Sequence, residues 1–253
     1  MAKVLRFAND RRIAVTPRGA GTGLSGGALP VKGGLVLSAE RLTEIRSIDT
    51  SNHTAEVEAG VITGDLQRVV ERAGLFYPPD PASRDSCLIG GNIAEDSAGP
   101  RSCRYGSTRH WVLGLEAVLA DGTVVRTGGR SRKNVAGYNL TQLLIGSEGT
   151  LAFITEATLK LTPLQPARRM LQAIYRDMGG AARAVSRIMA QPVVPYAVEL
   201  KGSYNQPVTH HQSEPPRKSV TRPPAARTIA VPAATSQGER CSSQKPSSRP
   251  AAT

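Results

Sequence analysis

The chain has 253 residues, a formal charge of +12, 40% apolar residues and 4% aromatics, so it is long enough to bury an enzyme-sized core built mainly from Leu, Val, Ile and Ala. The charge is a weak argument for nucleic acid, because about half of the excess lies in residues 201–253, where eight Lys and Arg face Glu214 and Glu239. Cys87, Cys103 and Cys241 lack metal-ligand spacing and cannot all pair, and no segment nears the roughly 20 apolar residues of a bilayer span or follows Met1 as a secretory leader, which points to reduced thiols in a cytoplasmic protein.

In chain order, residues 2–9 read as the last turns of a helix, so the chain is expected to open mid-unit, and Arg12–Thr16 is β-rich. A glycine run, Arg18–Gly27, leads through Pro30 and Gly33-Gly34 to the strand 34–38, and 44–49 with 54–58 extend this into a predicted meander. Leu66, Val69, Val70 and Ala73 recur at helical spacing, with Thr63 expected as N-cap, Asp65 in the first turn and Gly74 at the end. Residues 112–120 and 123–127 flank Asp121-Gly122, which predicts a hairpin with a type I′ turn. A short helix over 140–145, the run Gly146-Ser147-Glu148-Gly149 and a strand over 151–161 close a first block near residue 165. A second unit starts with a strand at 171–175, a helix over 180–189 and a strand at 196–200, one β-α-β element with too few strands to be stable alone. From about residue 202 the Pro, Ser, Thr, Ala and Arg composition has no apolar period, and a disordered tail is expected.

Chemistry concentrates in three segments. Successive N–H groups of the glycine run can form an anion-binding nest, with Arg18, Thr22 and Ser25 adding donors. Gly21, Gly23 and Gly26 also satisfy G-x-G-x-x-G, but a Rossmann turn opens directly into a helix and this one exits towards a strand. A flexible surface loop is the competing reading. Tyr77-Pro78-Pro79-Asp80-Pro81 leads to Ser86-Cys87-Leu88-Ile89-Gly90-Gly91-Asn92, which alone reads equally as a prolyl loop entering a bulged strand. The run from Gly146 to Thr150 is either a loop against a cofactor or a helix C-cap before a strand.

As an ordered set these segments, with Arg104-Tyr105-Gly106 and Ile145–Thr150, resemble the FAD-linked oxidases of the vanillyl-alcohol oxidase type, which include glycolate oxidase D subunits, D-lactate dehydrogenases and D-2-hydroxyglutarate dehydrogenases. The resemblance covers residues 1 to about 200. It implies an α+β fold: an FAD-binding domain over 1–165, N-terminally incomplete, made of two small α+β subdomains with FAD between them; the start of an α+β cap domain over 166–200; and a disordered basic tail over 201–253.

By the same resemblance, Arg18, Gly19, Ala20, Gly21, Thr22, Gly23, Leu24, Ser25 and Gly26 hold the pyrophosphate, while Ser86, Cys87, Gly90, Gly91 and Asn92 line the flavin or its ribityl chain. Glu148, Gly149 and Ile154 complete the site. Some relatives attach FAD through a His where this chain has Thr22, so the resemblance implies non-covalent FAD. Cys87 reads as a packing residue rather than a redox thiol. Lys133, in the segment 132–140, is a weak candidate for meeting an acidic substrate, a solvated surface charge being as good a reading. Asp96-Ser97-Ala98-Gly99-Pro100 and Ala152 depart from the family pattern.

The implied function is oxidation of a small 2-hydroxy acid, with hydride passing to flavin N5, an unspecified electron acceptor and possible partner subunits. His210-His211 lies outside the resemblance and no metal is assigned. The alternatives are an inactive FAD-binding remnant, a reductase on the same flavin fold, or a basic-tail interaction protein. Nucleic acid is disfavoured, since Tyr204 is the tail's one aromatic.

Overall fold

A computed structural model describes residues 1–201 and 227–233. The first elements are helix α1 (Ala2–Asp10) and strands β1 (Val15–Arg18) and β2 (Leu35–Ser38), then β3 (Ile45–Asp49) and β4 (Thr54–Glu58). Helix α2 (Thr63–Arg72), β5 (Leu75–Phe76), α3 (Ile89–Glu95), α4 (Ser102–Tyr105), β6 (Val112–Val118), β7 (Val124–Gly128), α5 (Leu140–Leu144), β8 (Phe153–Lys160) and β9 (Thr162–Pro163) follow. The second unit contains β10 (Arg169–Tyr175), α6 (Met178–Met189), β11 (Glu199–Lys201) and β12 (Arg227–Ala233).

The predicted meander is replaced by two separate sheets. β2 pairs in parallel with β1, Val15 opposite Leu35 and Arg18 opposite Ser38, whereas β3 and β4 belong to an antiparallel sheet of order β3-β4-β8-β6-β7. Parallel neighbours need a long crossover, and here the glycine run and the turns after it provide that connection without a helix.

One face of the five-stranded sheet is apolar. Val57, Leu115, Ala117, Phe153 and Leu159 are buried with Leu66, Val70, Ile89 and Ile93 from α2 and α3 in one core, each larger side chain contributing about 1.5–3 kcal/mol by removal from water. The opposite face carries charge, with Arg46 on Glu58 and Glu156, Arg126 on Glu116 and Arg130 on Glu56.

Two local expectations fail for identifiable reasons. Thr63 is the first residue of α2 and Ile62 occupies the cap position, because the Thr63 hydroxyl is engaged by Cys87 and Asn92 instead. The hairpin between β6 and β7 forms, but φ is positive at Gly122 and not at Asp121. The Asp121 carboxylate accepts from Thr123 N at 2.8 Å and Gly122 N donates to Leu119 O at 2.9 Å, giving a three-residue turn with a bulge in place of type I′.

In the second unit, β12 lies between β10 and β11 and is antiparallel to both, so the single β-α-β element becomes a split one. Residues 227–233 thus form a strand within the expected tail, whereas the remainder of 202–253, including His210-His211, Tyr204 and Cys241, lies outside the described residues. Tyr196 ties the second unit to the first: its ring lies 6.1 Å from Phe76 and 5.7 Å from Tyr105, with the guanidinium groups of Arg101 and Arg168 over it. Among the described residues, no helix is long and apolar enough to cross a membrane.

Candidate cofactor site

Arg18 ends β1, and the glycine run follows it. None of the backbone N–H groups from Gly19 to Gly27 donates to another described residue. Gly21 has φ +72°, and a Cβ there would fall 2.6 Å from Arg18 Nη2, so the loop needs glycine both for its backbone conformation and to let the guanidinium fold over it. Nine consecutive free amides are a strong, ready-made set of anion donors.

The facing wall is α3, which the bulged-strand reading missed. Its first turn lies against the core: Gly90 N donates to Ala59 O at 2.8 Å, and a Cβ on Gly90 would meet Ala59 Cβ at 2.7 Å. Below it, Asn92 Nδ2 donates to Thr63 Oγ1 at 2.5 Å, and the Cys87 thiol reaches the same oxygen at 3.4 Å. Asn92, Thr63 and Cys87 are all buried. This network fixes the wall through polar contacts that are fully enclosed, where leaving any member unpaired is costly. Gly19 approaches this wall closely, its Cβ position lying 3.7 Å from Gly91 Cα.

The third side is the turn before β8. Gly146 N donates to Ile93 O at 3.0 Å and Glu148 N to Ala94 O at 2.8 Å, which docks this loop on the C-terminal end of α3. Ser25 Oγ donates to Glu148 Oε2 at 2.6 Å, closing the ring between the glycine run and this turn.

Of the residues singled out from the sequence, Gly19 to Gly23, Cys87, Gly91, Asn92, Glu148 and Gly149 line one cleft. Arg18, Gly90 and Ile154 line an adjoining pocket that shares Gly19, Gly91 and Gly149 with it. Leu24 and Gly26 line neither, the side chain of Leu24 being fully exposed. Ser25 acts through Glu148, and the Ser86 hydroxyl is turned away to Ser83 O at 3.1 Å. Lys133 stands on the exposed stretch 131–140 and is not brought to the cleft.

Glu95, Leu88 and Ala94 were missed and also line the cleft, as does Gly27 at the end of the glycine run. A helical reading of 89–95 would have found Glu95, which stands three residues after Asn92 and so one turn further along the same side. Its carboxyl is pushed above the usual range by burial against the loop and by the Glu148 carboxylate, against a Ser97 hydrogen bond that opposes the shift.

A family model described as an FAD binding domain matches residues 1–128. Over 200 residues, the chain is 48% identical to the glycolate oxidase subunit GlcD of Bacillus subtilis (strain 168) and 43% identical to a D-lactate dehydrogenase of Archaeoglobus fulgidus; in both cases 79% of this chain is covered, with 43% and 44% of the relatives. It is 45% identical over 172 residues to a D-2-hydroxyglutarate dehydrogenase of Xanthomonas citri pv. viticola, covering 68% of this chain and 36% of that protein. The chain therefore spans less than half the length of these relatives. Among solved structures, an alkyldihydroxyacetonephosphate synthase superimposes with a TM-score of 0.73 at 20% identity over 91% of this chain and 44% of the other, a likeness of fold alone.

Proposed function

Because the chain belongs to the FAD-binding-domain family, whose relatives include FAD-linked oxidoreductases, we propose that it forms the cofactor-holding part of an enzyme oxidising a small 2-hydroxy acid. Glycolate, D-lactate and D-2-hydroxyglutarate are the candidate substrates, taken from the names of the relatives. The FAD-binding domain runs to about residue 165, and β10, α6 and β11 begin the substrate-facing cap.

The observation that carries this reading is the run of free amides from Gly19 to Gly27 facing a wall that is already hydrogen-bonded and packed. The fit to FAD follows from what the loop offers: donors for a diphosphate, and glycines at positions 21 and 27, where a Cβ would meet the Arg18 guanidinium and the Glu148 carboxylate. Gly19 to Gly23 bind the diphosphate, and Cys87, Gly91 and Asn92 form the wall along which the rest of the cofactor lies. Bound flavin supplies the two-electron oxidation of the substrate carbinol. The chain's own contribution is binding, orientation and exclusion of water. Thr22 offers a hydroxyl and no linkage, so the cofactor is held without a covalent bond.

The test is the absorption spectrum of freshly purified protein before and after denaturation. A flavin band that leaves with the soluble fraction is expected. A protein that stays colourless after incubation with FAD would overturn the reading.

A further inference from the structure

The cleft over the glycine loop contains an electrostatic contradiction. Its charged lining side chains are two carboxylates, Glu95 and Glu148, although its backbone is arranged for an anion. The Glu95 carboxylate, at the end of α3, reaches back to the loop and stands where a side chain on Gly23 would begin. Glu148 has φ +51°, accepts the Ser25 hydroxyl at 2.6 Å and lies 3.1 Å from the Cβ position of Gly27. Both arms of the loop are thus faced by negative charge. Around them, Arg18 is the cation folded over Gly21, Asp96 is already bonded to Arg109, and the Cys87 thiol is buried against Thr63.

We propose that Glu95 and Glu148 oppose the diphosphate and make FAD retention proton-linked: the cofactor binds with uptake of protons and is held more tightly as pH falls. This rests on the FAD reading above and adds the regulation of that site. The sign follows from charge. Burial and the neighbouring Glu148 carboxylate already raise the pKa of Glu95, and an incoming diphosphate adds a repulsion of the same sign. By linkage, whatever raises proton affinity on binding makes binding stronger at lower pH. High salt should shrink the effect, since both residues are exposed.

The experiment uses the whole chain stripped of cofactor, titrated with FAD and followed by flavin fluorescence from about pH 8 to about pH 5. For the wild type, Kd is expected to fall about three- to tenfold on acidification, and Glu95→Gln or Glu148→Gln each to tighten binding about three- to fivefold at pH 8. The double Gln variant should lose the pH dependence, which controls for titration of FAD itself. Ser25→Ala, which removes the hydrogen bond without removing charge, should keep it. The proposal is overturned by wild-type affinity that is the same at both pH values, a measurement independent of any variant, or by Gln variants that bind FAD equally well or more weakly. In those cases FAD still binds and the cofactor reading survives. A folded wild-type chain that takes up no FAD at any pH overturns both.

Discussion

The two walls of the cleft are built in opposite ways. The α3 wall is buried, with Ile89, Gly90, Asn92 and Ile93 inside the molecule and its polar atoms bonded to Thr63, Ala59 and Val61. The loop wall, Gly19 to Gly27, is partly or fully exposed and its amides have no acceptor among the described residues. One wall is therefore shaped by the core, while the other lies at the surface and presents its amides to the cleft. Changes on the first wall should act on folding, and changes on the second on cofactor binding.

The largest expected effect comes from breaking the rigid wall. Gly90→Val pushes branched carbons into Ala59, and overpacking without room to relax should cost about 2–4 kcal/mol in urea unfolding, if the variant folds at all. Gly21→Ala is the matched change on the open wall. It places a methyl against the Arg18 guanidinium at positive φ, costing about 1–2 kcal/mol of stability, yet weakening FAD about tenfold or more by disturbing the amides. A Gly21→Ala variant as unstable as Gly90→Val would erase the distinction between the walls.

The smallest effect lies away from both walls, on the charged sheet face. There the hydrogen bond from Arg130 holds the Glu56 carboxyl below the usual range. A carboxyl with a lowered folded pKa adds stability above its unfolded value and loses it as pH falls through the folded one, so this face should weaken below about pH 4. Glu95 has the opposite sign, its raised pKa favouring the folded state on acidification. Glu56→Gln should remove part of the acid loss and shift the thermal midpoint by no more than about 2 °C at neutral pH, as expected of an exposed pair.

The sequence made the loop wall more legible than the α3 wall. Gly21, Gly23 and Gly26, with Pro30 ahead of a strand, carry their meaning locally, and the exit into β2 separates the loop from a Rossmann turn. Ile89–Glu95 hides its helix, because two glycines in seven residues argue against one. Gly90 is there for Ala59, a partner about 30 residues away that no local pattern announces. The strands 34–38 and 44–49 were visible, but the choice of partner was not: β2 pairs backwards with β1, a fact of tertiary packing. Thr63 shows the same limit, since its hydroxyl could satisfy its own helix or Asn92, and only the buried amide decides for the latter. In Arg227–Ala233, the β-branched Thr228, Ile229 and Val231 were masked by the surrounding Pro, Ser and Arg.

The position of β8 has a consequence for the order of assembly. The hairpins β3–β4 and β6–β7 are each formed from neighbours in the chain, but β8 is inserted between β4 and β6, pairing Thr54 with Lys160 on one side and Val118 with Phe153 on the other. During synthesis both hairpins therefore emerge with bare inner edges and wait for a strand made last, the slow, long-range closure that topology penalises most. The turn bearing Glu148 and Gly149 immediately precedes that strand, so the cleft proposed for FAD is finished in the same event and is incomplete until the sheet has closed.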